Sequence, residues 1–198
     1  MLSKAIPLVL LAATLVSTGC SVEKKGSKDN EDVKIETPFG EMKVKTNDAV
    51  AVADIGLPVY PGSTPIKRDK NNAAADVDIG FAGFHLSVRA VSYHTPDSPD
   101  KVRAFYRKEL ARFGDVIECA GDRSVGTPSK TSEGLTCDEG KHITINSVDR
   151  HAESEVELKT GSKNHQHIVA IEPHSDGTKF GLVSLDLPKG EKGEKESN

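Results

Sequence analysis

The residues with the most chemical potential in this 198-residue chain are histidines, paired carboxylates, one serine and three cysteines. His165-x-His167 opens a strand-like stretch, which would bring both rings to one face in a spacing that chelates a transition metal. His142, His151 and His174 stand available as a third ligand, although no HExxH or DxDxDG pattern accompanies them. The competing reading is a pair of edge-strand histidines facing solvent. Ser124 lies in GDRSVG, where the spacing is G-x-x-S-x-G and not the G-x-S-x-G of a nucleophile elbow, so it reads as a loop residue. Asp76/Asp78 and Glu153/Glu155 are i, i+2 pairs that a strand would project into water. Without an apolar surround, neither pair gains the raised pKa of a general acid. The expectation is therefore no catalytic residue and no cofactor, with His165 and His167 as the candidates for metal.

The cysteines carry a different message. Cys20 closes the leader MLSKAIPLVLLAATLVSTGC, in which Lys4 is the positive n-region, Ala5 to Val16 are mainly apolar, and Ser17-Thr18-Gly19 are small. The apolar run is too short to span a bilayer as a helix of about 20 residues. This arrangement resembles the lipobox of bacterial lipoproteins, which implies cleavage before Cys20, diacylation of its thiol and an exported protein held to the membrane. Two acyl chains suit firm anchoring where one is marginal. Leu is usual three residues before the cleavage point, and Ser17 stands there instead. Ser17 and Gly19 also satisfy the small-x-small rule of ordinary secretory cleavage. Ser21 follows the cysteine, and by resemblance to Gram-negative lipoproteins this favours the outer membrane.

With Cys20 acylated, Cys119 and Cys137 remain as an even pair for an oxidising compartment, and neither belongs to a CxxC motif. A disulfide between them would close a loop of 18 residues.

Charge excludes one class of partner. The chain has 26 Lys+Arg against 30 Asp+Glu, interspersed along its length. Loss of Lys4 with the leader leaves 25 against 30, which offers no basic footprint for nucleic acid. Six Phe, three Tyr and no Trp argue against an aromatic ligand cage.

Elements must then position these residues. Residues 1–19 read as the signal peptide, 20–32 as a polar tether, 33–187 as one domain and 188–198 as a disordered charged tail. Val33/Ile35 and Met42/Val44 alternate around Pro38-Phe39-Gly40, which predicts a hairpin over 33–46. LPVYPGSTPI (57–66) predicts an ordered turn. Val77 to Thr95 predicts two strands joined near Ala82-Gly83, with one long bulged strand as the alternative.

TPDSPDKVRAFYRKELARFG predicts an amphipathic helix over about 97–113. Asp97 or Ser98 would be the cap and Pro99 falls in the first turn. Val102, Phe105, Tyr106, Leu110 and Phe113 form the apolar stripe, and Gly114 the left-handed stop. Lys101, Arg103, Arg107, Lys108 and Arg112 give it a basic outer face. Later segments return to period two: 115–120, 134–139, 142–148, 155–160, 167–173 and 178–187. Strands around one main helix predict an α+β domain, an antiparallel sheet with the helix packed on one face.

LPVYPGS, then YHTPDSPDKVRAFYRKEL, then TKFGLVSLDL resemble a group of uncharacterised bacterial envelope proteins with a YPGA/S turn and a DSPxxVxxFYxxEL helix. The resemblance implies an exported α+β domain and transfers no catalytic residue. The function expected is a non-enzymatic binding or assembly accessory at the cell envelope. It would be joined to the bilayer through Cys20 and contact an envelope protein or ligand. The alternative is a periplasmic small-ligand or metal-binding sensor using His165/His167.

Overall fold

The structure is a computed structural model that describes residues 20–27, 30–38, 40–45, 53–67, 74–81, 83–138 and 155–188. Its strands are β1 (Ser21–Ser27), β2 (Asn30–Thr37), β3 (Gly40–Lys45), β4 (Thr64–Pro65), β5 (Ala74–Phe81) and β6 (Phe84–Thr95). After helix α1 (Pro99–Leu110) come β7 (Val116–Ala120), β8 (Arg123–Ser124), β9 (Val156–Gly161), β10 (His165–His174) and β11 (Gly177–Asp186). They form one antiparallel sheet in the order β1-β2-β3-β5-β6-β11-β10-β9-β7-β8, with β4 paired to β6.

This corrects the α+β expectation. Strand accounts for 57% and helix for 11% of the described residues, so the domain is mainly β. One twelve-residue helix carries the stripe that had suggested a mixed class. Among the described residues no helix is long and apolar enough to cross a membrane.

Register divides the sheet into two faces, because paired residues share a side and neighbours alternate. On the helix side, Ala74, Val91, Leu182, Val169, Leu158 and Glu118 fall in one row, all of them buried. Tyr93, Phe180 and Ile171 form the next row. Val102, Tyr106 and Leu110 of α1 close over both, together with Ile55, Leu57 and Tyr60. Tyr93 and Phe180 stack with centroids 5.5 Å apart, and Tyr60 meets Phe105 edge-on at 5.1 Å. Leu57 and Tyr60 thus fasten the 57–66 turn to the core, while Pro58, Val59, Pro61 and Gly62 stay exposed.

Helix α1 differs from expectation at both ends. Ser98 is the N-cap residue by backbone conformation, yet its side chain makes no capping bond. Asp97 is engaged elsewhere, accepting from Tyr60 Oη at 2.8 Å and from Lys101 Nζ at 2.8 Å. The C-cap is Ala111 in the right-handed region. Phe113 therefore leaves the helical stripe and lies flat on His167, centroids 4.1 Å apart. The basic face is internally paired as well. Arg103 and Arg107 both reach Glu118 on β7, Lys101 reaches Asp97 and Arg112 reaches Glu109.

Two other segments depart from the sequence reading, and the predicted hairpin agrees with it. The stretch after Cys20, read as a tether, forms β1, whose residues pair with β2 from Ser21↔Glu36 to Ser27↔Asn30. The 33–46 hairpin is β2–β3 and joins the main sheet through β3–β5. Residues 134–139, read as a strand, contribute only isolated bridges at Gly134 and Thr136. Cys119 and Cys137 form a disulfide and, with Ile117 and Leu135, a small second core. Thr131 fastens that loop, donating to the Gly161 carbonyl at 2.8 Å and accepting from Leu135 N–H at 2.9 Å. The leader, the 142–148 strand, His142, His151, Glu153 and residues 189–198 lie outside the described residues.

Candidate functional site

Beyond the apolar rows, the helix-side face turns polar. Lys45, Asp76, Arg89, Ser184, His167 and Thr160 form one row. Lys43, Asp78, Ser87, Asp186 and His165 form the next.

Asp76 is only 4% exposed, which corrects the expectation that it faces water. It lies on the helix side of β5 and looks across to Arg89. The Arg89 Nε is 3.6 Å from Asp76 Oδ1 and 3.8 Å from Asp54 Oδ2, and its Nη1 is 3.9 Å from Asp186 Oδ2. Burial pushes the Asp76 carboxyl up from its ordinary value, against the pull of Arg89 and Lys45. Arg89 Nε, Ser87 Oγ and Thr160 Oγ1 are buried and have no hydrogen-bond partner among the described residues. Asp78 faces the same side but is more open, 3.3 Å from His85 Nε2.

His165 and His167 do share a face, with ring centroids 5.3 Å apart and edge-on. Their environments differ. His165 is exposed and bonded through Nδ1 to Asp186. His167 is 6% exposed, covered by Phe113 and hydrogen-bonded to the Ile55 backbone. Burial holds the His167 imidazole below its ordinary value, and His165 adds to that effect while Asp186 opposes it. A ring enclosed in this way supports the packing of the 53–57 segment, and the pair gathers no third ligand among the described residues. Ser124 is exposed on the two-residue strand β8, paired with Cys119.

A second constellation lies at the opposite end of the long strands. His94 (β6), His174 (last residue of β10) and Asp176 (in the β10–β11 turn) bring ligand atoms within 4.8 Å of one another. Asp176 Oδ1 is 3.0 Å from His94 Nε2 and 2.5 Å from His174 Nδ1. The rings are perpendicular, with centroids 6.3 Å apart. The Asp176 carboxyl is held below its ordinary range by the His174 hydrogen bond first and by His94. It is the one such group of three among the described residues.

His174 was visible as a third-ligand candidate, but His94 and Asp176 were not. The signal that could have found Asp176 was SDG after His174, turn chemistry that puts a carboxylate beside a strand-end histidine.

No family model, no curated protein and no solved structure matches this chain. Its functional reading therefore rests on these residues themselves.

The sheet's other face is open over its N-terminal half. Val22, Ile35, Met42, Ile79 and Leu86 fall in one register row across β1, β2, β3, β5 and β6. Val33, Val44, Val77 and Val88 fall in another. Every member of both rows is at least partly exposed, Val22 to 60%. At the hairpin tips Phe81, 49% exposed, stacks on Phe84 at 4.7 Å. A shallow groove of about 620 Å³ opens there, lined by Glu36, Thr37, Glu41, Phe81 and Phe84.

Proposed function

We propose that this chain is an exported accessory protein of the bacterial envelope, lipid-anchored through Cys20, which acts by binding an envelope protein on the open apolar face of its sheet. The observation that carries the reading is the position of Cys20. It is exposed and directly precedes Ser21, the first paired residue of the outermost strand. Strand alternation carried one residue back from β1 gives it the same side as Val22, at the edge of the apolar face. The lipobox-like leader and the Cys119–Cys137 pair, suited to an oxidising compartment, support the same location. Contiguous exposed apolar surface of this kind marks interaction sites on soluble domains. By the Ser21 criterion the outer membrane is favoured where the organism has one. A sensor built on His165/His167 is disfavoured by the enclosure of His167 beneath Phe113.

Two measurements test the proposal. Replacing Cys20 with Ala should release the mature protein from membranes and abolish acyl incorporation; unchanged fractionation would contradict the anchor. A photo-crosslinking residue at position 79 should trap a discrete envelope protein, whereas one at position 78, facing the other way, should not. Labelling of lipid alone, or equal trapping at both positions, overturns the contact surface.

A further inference from the structure

From the convergence of two strand-borne imidazoles on one carboxylate, we infer that His94, His174 and Asp176 form a binding site for a divalent transition ion of the zinc class. The site stands independently of the membrane anchor. Two nitrogens and one carboxylate oxygen are the donor set that borderline ions such as Zn²⁺ accept, and calcium and magnesium, which prefer oxygen, do not.

The scaffold fixes the three donors before any ion arrives. His94 is paired in register with Lys179 on β11 and with Thr64 on β4, so its backbone is held from both sides. His174 pairs with Gly177 across the two-residue turn that carries Asp176. Gly177 has φ +137°, and a Cβ at that position would lie 2.1 Å from the Thr95 carbonyl oxygen. The turn is therefore seated against the β6 backbone one residue from His94. Thr178 Oγ1 donates to the Asp97 carbonyl at 2.7 Å and locks the far side of the turn.

Charge and access also suit a cation. Two neutral imidazoles and one carboxylate give the donor set one negative charge. The neighbouring Lys179 and Glu172, opposite each other in register, offset one another. All three ligands are solvent-accessible, which leaves an entry path and room for water as a fourth ligand.

In the ion-free form the two ring N–H groups donate to Asp176. Binding requires each ring to present a lone pair instead, so the proton moves to the other ring nitrogen by tautomer exchange. Metal–donor bonds of about 2.0–2.2 Å then put tetrahedral ligands roughly 3.3 Å apart, so the carboxylate would move outward and the two imidazoles, whose ligand atoms lie within 4.8 Å of each other, would settle around the ion. The ion would clamp the β10–β11 turn to β6, two segments 82 residues apart in sequence.

The test is titration of the purified full-length chain with ZnCl₂ by calorimetry and thermal shift. Co²⁺ absorption serves as the spectroscopic reading. Saturable binding of one Zn²⁺ with a raised melting temperature is expected. Affinity should fall by at least roughly tenfold and the melting-temperature rise should shrink in His94→Gln and His174→Gln, while His165→Gln binds as the parent does. Asp176→Asn, which keeps the turn, should lose the tetrahedral Co²⁺ spectrum. Circular dichroism of each variant without metal establishes that the fold is retained. Absence of saturable Zn²⁺ binding overturns the inference, as does binding that survives His94→Gln in a folded variant or disappears in His165→Gln.

Discussion

The hydroxyl of Tyr106 accepts the backbone N–H of Tyr60 at 3.1 Å and donates to the Pro58 carbonyl at 3.2 Å, joining the helix to the 57–66 turn. Tyr106 is fully buried, so water cannot replace either bond. Burial pushes the phenol far above its ordinary value and keeps it neutral.

Tyr106→Phe keeps the ring contacts with Tyr60 and Phe180 but leaves a buried N–H and C=O without their partner. Unsatisfied buried groups cost about 1–3 kcal/mol, so the variant should lose roughly that much stability in urea unfolding. A loss below a few tenths would show that the turn undocks without consequence for the core.

The Cys119–Cys137 bridge closes an 18-residue separation around Ile117 and Leu135. The double substitution Cys119→Ala/Cys137→Ala should lower stability by about 3 kcal/mol, the chain-entropy value for a loop of that length. Thiol titration of the unfolded chain before reduction should find neither Cys119 nor Cys137 free, and reaction at both would remove the staple.

His167 makes stability depend on pH. Its folded pKa is depressed, so the unfolded chain binds a proton more readily. Stability is therefore full above the unfolded imidazole value, about 6.5, and declines as pH falls below it. Chemical denaturation at a series of pH values should show that decline, and His167→Gln should flatten it. A parent curve that is level from pH 7.5 to 5 would refute the assignment.

Gly177 is a turn position that tolerates no side chain. Gly177→Ala places a Cβ against the Thr95 carbonyl and Pro96 and adopts a φ that alanine resists. The cost should exceed the roughly 1 kcal/mol of an ordinary glycine exchange, because the clash is with the Thr95–Pro96 backbone, which has no flexible side chain to give way. A melting temperature equal to the parent's would show that the turn lifts away from β6.

Local patterns exposed the elements with one apolar face, covered or open, and long-range pairing decided the rest. Alternation at Val33/Ile35, Met42/Val44 and Val77–Thr95 announced strands, and the Val102–Leu110 stripe announced the helix. What misled was weight: a single helix with a strong stripe suggested a mixed class, although strands dominate. β1 escaped because SVEKKGS has no apolar period and its pairing runs through backbone groups, which side-chain patterns do not report. Asp76 looked like one of two solvated carboxylates, since its partner Arg89 meets it only through the β5–β6 register. Phe113 completed the helical stripe in sequence, yet the chain turns at Ala111 and gives that ring to His167. The same blindness hides His94, because no spacing rule connects a residue on β6 to a turn 82 positions later.

The strand pairing of Ser21 has a mechanical consequence. Thirteen free residues would have been a leash of about 45 Å at full extension. With the chain committed to the sheet from Ser21 onward, an acyl group on Cys20 would leave almost no slack. The body would ride at the headgroups in a narrow range of tilts and capture what diffuses past, without casting outward for a distant target.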